Sequence, residues 1–266
     1  MNTISSPDGT KIAYEKRGRG PAVILVDGAM STRSSGSKPE LVSLLAEHMT
    51  VYSYDRRGRG DSGDTQPYAV EREIEDIETL IDDAGGTACL YGHSSGASLV
   101  LEAAVKLGSK VEKIALYEAP YNDDPAAQRA WREYIRGITE ALAANRRGDA
   151  VALFMSYVGM PADQIDGMRQ TPYWPIAEAI APTLAYDHTA ILGKDNSVPT
   201  QRAERVLVPA LVMNGGASFP FMYDTARALS EAMPHAELRT LEGETHAVQP
   251  GVLAPVLVGF LAQDRS

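Results

Sequence analysis

Two blocks of this chain alternate strand-length apolar runs with helix-length amphipathic segments, and a stretch of different character separates them. AVILVD (22–27), TVYSYD (50–55), TACLY (87–91), VEKIALYE (111–118), ALVMN (210–214) and AELRTL (236–241) read as strands. Residues 10–17 read as another, joined to the first by the turn GRGP. Several of these runs are almost unbroken in hydrophobicity, as strands buried on both faces are. Residues 39–48 (opened by Pro39), 69–84 and 95–107 read as helices. In the second of these, Ile74, Ile77, Leu80 and Ile81 share one face and acidic residues the other. This alternation predicts an α/β fold, with a mostly parallel central sheet and helices on both faces.

The separating stretch, 121–205, predicts a helical cap inserted between two late strands, over a core formed by 1–120 and 206–266. Residues 125–147 and 149–158 keep a helical period, and Pro161, Pro172, Pro175 and Pro182 break the rest of the stretch into short helices. Aromatic and methionine side chains are frequent here. Most of them are expected to pack the cap onto the body and a few to line a pocket. Tyr157, Trp174 and His188 are the candidates from the cap, with Asp27, Met30 and Phe219 from the core.

Bulk composition removes whole classes of partner. The net charge is −10, which argues against nucleic acid and against anionic membrane surfaces, since both require a basic patch. No run of about 18 apolar residues is present, and the first residues lack a stretch apolar enough for a secretory signal. A cytoplasmic protein acting on a small molecule, as monomer or homodimer, is the expectation. The single cysteine, Cys89, lies in an apolar run and reads as a small buried hydrophobe. No H-E-x-x-H, clustered Cys/His or dinucleotide glycine motif occurs, so no metal and no organic cofactor is expected.

Chemistry enters at Gly92-His93-Ser94-Ser95-Gly96, which fits G-x-S-x-G between a strand and a helix. A sharp strand-to-helix turn strains its central residue and demands small neighbours. Gly92 and Gly96 flank Ser94 accordingly, whereas centring on Ser95 would put His93 and Ala97 in those places. The turn lifts the Ser94 hydroxyl above the sheet and aims helix N–H groups at whatever it attacks.

With this motif, the segment YDRRGRGDSG (54–63) and a late histidine, the chain resembles the α/β-hydrolase superfamily along nearly its whole length. The resemblance implies that Asp55–Gly63 is a structural loop tied together by its Arg and Asp residues. It also implies that His246, in LEGETHAVQP, is the general base; His48, His93, His188 and His235 stand elsewhere in the pattern. The family's usual acid position, after ALVMN, holds no Asp, and Ser218 stands about there. Some members, the haloalkane dehalogenases among them, supply the acid one strand earlier. Glu118, 24 residues after Ser94, matches that arrangement. The alternatives are a Glu118 paired with a cap arginine, or Asp224 as the acid. A dehalogenase or epoxide hydrolase is disfavoured, because those enzymes carry Asp where this chain has Ser94.

The resemblance further implies an oxyanion hole from the N–H groups of Ala29 and Ser95, with Asp27 replacing the family's usual histidine before Gly28. Asp27 could pair with Arg33 or a loop arginine, or act on substrate. The expected function is a serine hydrolase of a carboxylic ester or lactone of a small, partly apolar molecule. The departures at Asp27 and Ser218 keep two alternatives open: a non-hydrolytic or C–C-cleaving biosynthetic enzyme, and a small-molecule-binding protein with little turnover.

Overall fold

The computed structural model describes residues 1–36 and 38–262. The chain opens with strands β1 (Asn2–Ser5), β2 (Lys11–Gly18) and β3 (Ala22–Val26). Helix α1 (Lys38–Leu45), strand β4 (Thr50–Tyr54), helix α2 (Val70–Asp83) and strand β5 (Ala88–His93) follow, then helix α3 (Ser95–Leu107) and strand β6 (Val111–Tyr117). Five helices come next: α4 (Pro125–Ala143), α5 (Arg147–Tyr157), α6 (Ala162–Met168), α7 (Tyr173–Ile180) and α8 (Thr200–Ala203). A π-helical turn at Tyr186–Ile191 lies before the last of these. The chain returns to the sheet through β7 (Ala210–Gly215), α9 (Pro220–Ala232), β8 (Ala236–Leu241) and α10 (Pro250–Leu261).

The eight strands form one sheet in the order β1-β2-β4-β3-β5-β6-β7-β8. Only the pairings β1 with β2 and β2 with β4 are antiparallel; from β4 to β8 every pairing is parallel. The period-two alternation of side chains divides the core in two. Ile24, Leu90, Ile114 and Val212 face α2, α3, α9 and the inserted helices. Val23, Leu25, Cys89, Tyr91, Ala115 and Met213 face α1 and α10. Both faces of the central strands are therefore dry, which is why those strands read as continuous apolar runs.

Three local differences from the sequence reading have simple causes. The sequence shows no strand at β1: it is four residues of NTIS at a sheet edge, largely exposed, too short and polar to show a pattern. The helix expected over 125–147 stops at Ala143, and Asn145 reverses the chain with φ +54° before α5 begins at Arg147. Its start is well specified: Asp124 accepts hydrogen bonds from the N–H groups of Ala126 and Ala127 at 2.8 Å each, with Pro125 in the first turn. The helix expected over 39–48 spans Lys38–Leu45. No described helix is long and apolar enough to cross a membrane.

Candidate active site

The parallel strands deliver their C-terminal ends to one edge, and the candidate residues emerge there: Asp27 after β3, Ser94 after β5, Glu118 after β6, Ser218 after β7 and His246 after β8. Ser94 has φ +57° and ψ −130°, a conformation that non-glycine residues rarely adopt. Its neighbours must be small for a visible reason. A Cβ on Gly96 would lie 2.2 Å from the Val26 carbonyl oxygen, and one on Gly92 would lie 2.5 Å from the Ala97 Cα. The elbow is thus wedged between β3 and its own helix. The Ser94 N–H donates to the Tyr117 carbonyl at 2.9 Å, tying the turn to β6.

Glu118 is also strained, at φ +49°, and is 1% exposed. That backbone twist turns its carboxylate toward β7 and the loop after β8. One oxygen accepts the Gly215 N–H at 2.8 Å. The other accepts the Ser218 hydroxyl at 3.0 Å and meets His246 Nδ1 at 2.7 Å. Glu118 therefore pairs with the late histidine and not with a cap arginine. Ser218 does not replace the missing acid; it hydrogen-bonds to the carboxylate that stands in for it. Asp224 lies within α9 with a 68% exposed side chain, pairing loosely with Arg227.

The loop that carries His246 is braced by two residues that the sequence reading passed over. His93, the variable position of the elbow, bonds through Nε2 to the His246 carbonyl at 2.9 Å, so that nitrogen carries the proton. Burial, and then the neighbouring His246, hold the His93 imidazole down at about 3, so it stays neutral. Tyr117 donates to the Thr245 carbonyl at 2.6 Å. No sequence signal distinguished His93 from any other residue at the x position.

The 54–63 loop has the structural role expected, and reaches further than expected. Asp55 accepts the N–H groups of Arg33 at 2.7 Å and Asp61 at 2.9 Å, and pairs with the Arg33 guanidinium. Arg56 and Arg59, both 1% exposed, hold the segment after β3 by its carbonyls. Arg56 donates to Asp27 O at 3.0 Å and Arg59 to Gly28 O at 2.6 Å. Both arginines also grip Asp187 of the π-helical turn, and the Ser95 hydroxyl donates to the same carboxylate at 2.7 Å. One buried carboxylate from the inserted helices is thereby bolted to the residue after Ser94.

Gly28 packs directly on Ser94, since a Cβ there would lie 2.8 Å from the Ser94 Cβ. Ala29, the next residue, lines the same chamber as Ser94, and Ser95 is buried at the start of α3. The Asp27 carboxylate pairs with Lys38, not with Arg33 as considered from sequence, and Arg56 touches only the Asp27 main chain. Lys38 gave no signal of this role in the sequence.

Two contiguous cavities open at this edge. One, of about 610 Å³, is lined by Ser94, His246, Ala29, Tyr157, His188 and Phe219 among others. The second, of about 720 Å³, contains Asp27, Met30 and Lys38 beside Met155, Met160 and Leu253. They share Ala29, Ser31, His93, Phe154 and Val158. Asp27 and Met30 therefore face the chamber away from Ser94. Trp174 lines neither: it is buried at 6%, its indole N–H bonded to Glu178 at 3.0 Å and its face covered by Arg169. Its placement in the substrate pocket is corrected accordingly. Among the described residues no cluster of three or more His, Cys, Asp or Glu could hold a metal ion.

Known proteins share this fold. A crystal structure of an alpha/beta hydrolase from Sphaerobacter thermophilus is 49% identical, covers 97% of this chain and 99% of its own, and superposes with a TM-score of 0.83. The enol-lactonase from Burkholderia xenovorans shares the fold at 21% identity, with 98% and 100% coverage and a TM-score of 0.69. A probable alcohol acetyltransferase of Wickerhamomyces anomalus is 21% identical over 140 residues, 52% of this chain; the match spans only 41% of that longer relative. Residues 27–255 match the Alpha/beta hydrolase family, and the chain belongs to that family.

Proposed function

We propose that this protein is a serine hydrolase that opens a carboxylic ester or lactone of a small, partly apolar molecule through an acyl-enzyme. The observation that carries the reading is the 2.7 Å contact between Glu118 and His246 Nδ1, at the same sheet edge as the strained Ser94. That contact fixes Nδ1 as the protonated nitrogen and leaves Nε2 to accept a proton.

In this mechanism the Ser94 oxygen attacks the carbonyl carbon while its proton passes to His246 Nε2. The negative oxygen that forms is held by the Ala29 and Ser95 N–H groups. His246 then gives the proton to the departing alkoxide, releasing an alcohol, or leaving it tethered in a lactone. Water, deprotonated by the same nitrogen, attacks the acyl carbon, and Ser94 leaves with that proton. Glu118 remains ionised throughout and stabilises the imidazolium. Ala29 borders both cavities, so a carbonyl held there has one chamber for its acyl part and another for its leaving group. Asp27 lines the second cavity, which does not include Ser94, and pairs with Lys38, so a cation offsets its charge near the developing oxyanion. The enzyme would need no metal or organic cofactor, and would act as a monomer or homodimer in the cytoplasm.

A fluorophosphonate probe and a panel of p-nitrophenyl esters and lactones test the reading. Labelling and turnover are expected, and Ser94→Ala should abolish labelling and lower kcat by at least about 10⁴-fold. Labelling without turnover of any ester or lactone would shift the assignment to the non-hydrolytic or C–C-cleaving alternative. An unlabelled, folded protein would shift it to ligand binding.

A further inference from the structure

The inserted helices bring a second imidazole into the chamber of the nucleophile. His188 is 5% exposed and lines the same cavity as Ser94 and His246. Its place is fixed from three sides. Asp187, the preceding residue, is locked between Arg56, Arg59 and the Ser95 hydroxyl, so the main chain at His188 is registered to the elbow. Trp131 meets the ring edge-on and Phe154 stacks on it, each at 5.5 Å between centroids. Tyr134 OH contacts Nδ1 at 2.8 Å.

The hydrogen-bond network assigns the tautomer. Burial raises the Tyr134 phenol well above its ordinary range, so it keeps its proton, and Nδ1 is its partner among the described residues. The phenol donates and Nδ1 accepts, which puts the ring proton on Nε2. Burial is also the largest influence on His188 itself; with Arg59 and Arg56 it outweighs Asp187 and holds the imidazole at about 4, hence neutral. Nε2–H has no protein acceptor among the described residues. The chamber wall around it is mostly apolar and contains no Lys, Arg, Asp or Glu.

We propose that His188 is a specificity-determining residue whose Nε2–H donates a hydrogen bond to a second, uncharged oxygen of the substrate, so that the preferred ester or lactone bears a keto, hydroxyl or ether group. This rests on the ester-hydrolase reading above and deepens it. The physical basis is an asymmetry. A substrate that fills the chamber displaces whatever water served the donor, and one with a methylene at that point leaves the N–H unpaired. A carboxylate does not suit the place, because no cation lines the chamber to balance it. Tyr134 is a positioning residue in this scheme, since it acts through His188.

Two matched substrate pairs test the proposal: p-nitrophenyl levulinate against pentanoate for an oxygen on the acyl side, and methoxyethyl acetate against butyl acetate for one on the alcohol side. The wild-type enzyme should favour the oxygenated member of at least one pair by about tenfold in kcat/KM. His188→Phe should erase that ratio, His188→Gln should keep part of it by supplying an amide donor, and Tyr134→Phe should weaken it. A wild-type enzyme indifferent within both pairs overturns the proposal, whether or not the variants fold. So does a preference that survives in a folded His188→Phe protein. Turnover without discrimination leaves the hydrolase reading standing; failure to turn over any of the four esters, with no labelling of Ser94, overturns both.

Discussion

Two buried carboxylates serve this site, and their surroundings differ in kind. Glu118 is met by neutral donors, the Gly215 N–H and the Ser218 hydroxyl, and by His246; no lysine or arginine pairs with it among the described residues. Asp187 lies between two guanidiniums, and one of these, Arg56, is also gripped by both oxygens of Glu73 at 2.6 and 2.7 Å. A carboxylate held by dipoles keeps its charge available to an imidazolium that forms during turnover. One held by two fixed cations is already neutralised and acts as an anchor. Partner chemistry, more than burial, separates a group that takes part in a reaction from one that locates the parts.

The largest effect should come from removing the charge on the first. Glu118→Gln keeps the shape and one acceptor but presents an amide to Nδ1, favouring the wrong tautomer and leaving the imidazolium unsupported. We expect kcat for a p-nitrophenyl ester to fall by about 10³- to 10⁴-fold, with Tm changed by only a few degrees. If turnover survives in the folded variant, Glu118 is an anchor like Asp187 and the comparison collapses.

Asp187→Asn should invert that profile. It leaves the buried Arg59 without its carboxylate and Arg56 with Glu73 alone, and breaking a buried pair of this kind costs about 3–5 kcal/mol. Urea denaturation should show that loss, while kcat falls far less than in Glu118→Gln and KM rises as His188 loses its mooring. A variant as stable as wild type would show that Arg56 is satisfied by Glu73 and the Asp27 carbonyl alone.

This contrast also marks what could be read from the sequence. The strand pattern placed Ser94, Glu118 and His246 near strand ends, and it was the resemblance to the α/β-hydrolase superfamily that pointed to His246 and, from the gap at Ser218, back one strand to Glu118. The Arg56–Asp187–Arg59 cluster was not legible. Its members are about 130 residues apart in sequence, and nothing local says which acid of an inserted segment will meet an arginine of the core. Lys38 was missed for the same reason. Trp174 shows the limit for aromatics: its composition suits a pocket wall and a buried packing site equally, and only tertiary contacts decide. The inserted stretch was visible as a break in the strand rhythm, but not which of its residues would line a cavity with Ser94.

Titration separates the anchor from its neighbours in a further way. The histidines His188 and His93 are held at about 4 and about 3, against an ordinary value of 6.5, chiefly by burial. Between those values the unfolded chain binds more protons than the folded one, so stability falls as pH drops below 6.5 toward 3. Burial alone would raise Asp187, but Arg56 and Arg59 outweigh it and hold the group at about 2, below its ordinary 3.8. Its contribution is complete above 3.8 and disappears only as pH falls toward 2. Tm measured against pH should therefore decline first in the histidine window. His93→Gln should flatten part of that decline, whereas Asp187→Asn, which removes the charge that raises His188, should not flatten it.

The smallest effect belongs to the hydroxyl that occupies the family's usual acid position. Ser218 donates to the same Glu118 oxygen that meets His246, at 3.0 Å against 2.7 Å, so it aims the carboxylate without carrying charge. Ser218→Ala removes a hydrogen bond to a charged acceptor but leaves the Gly215 N–H and the His246 contact in place. The loss should be about threefold to tenfold in kcat, with KM and Tm close to wild type. A fall as deep as that of Glu118→Gln would mean that the acid depends on its hydroxyl partner to be placed at all, and that catalytic charge and aiming at this strand end belong to the pair.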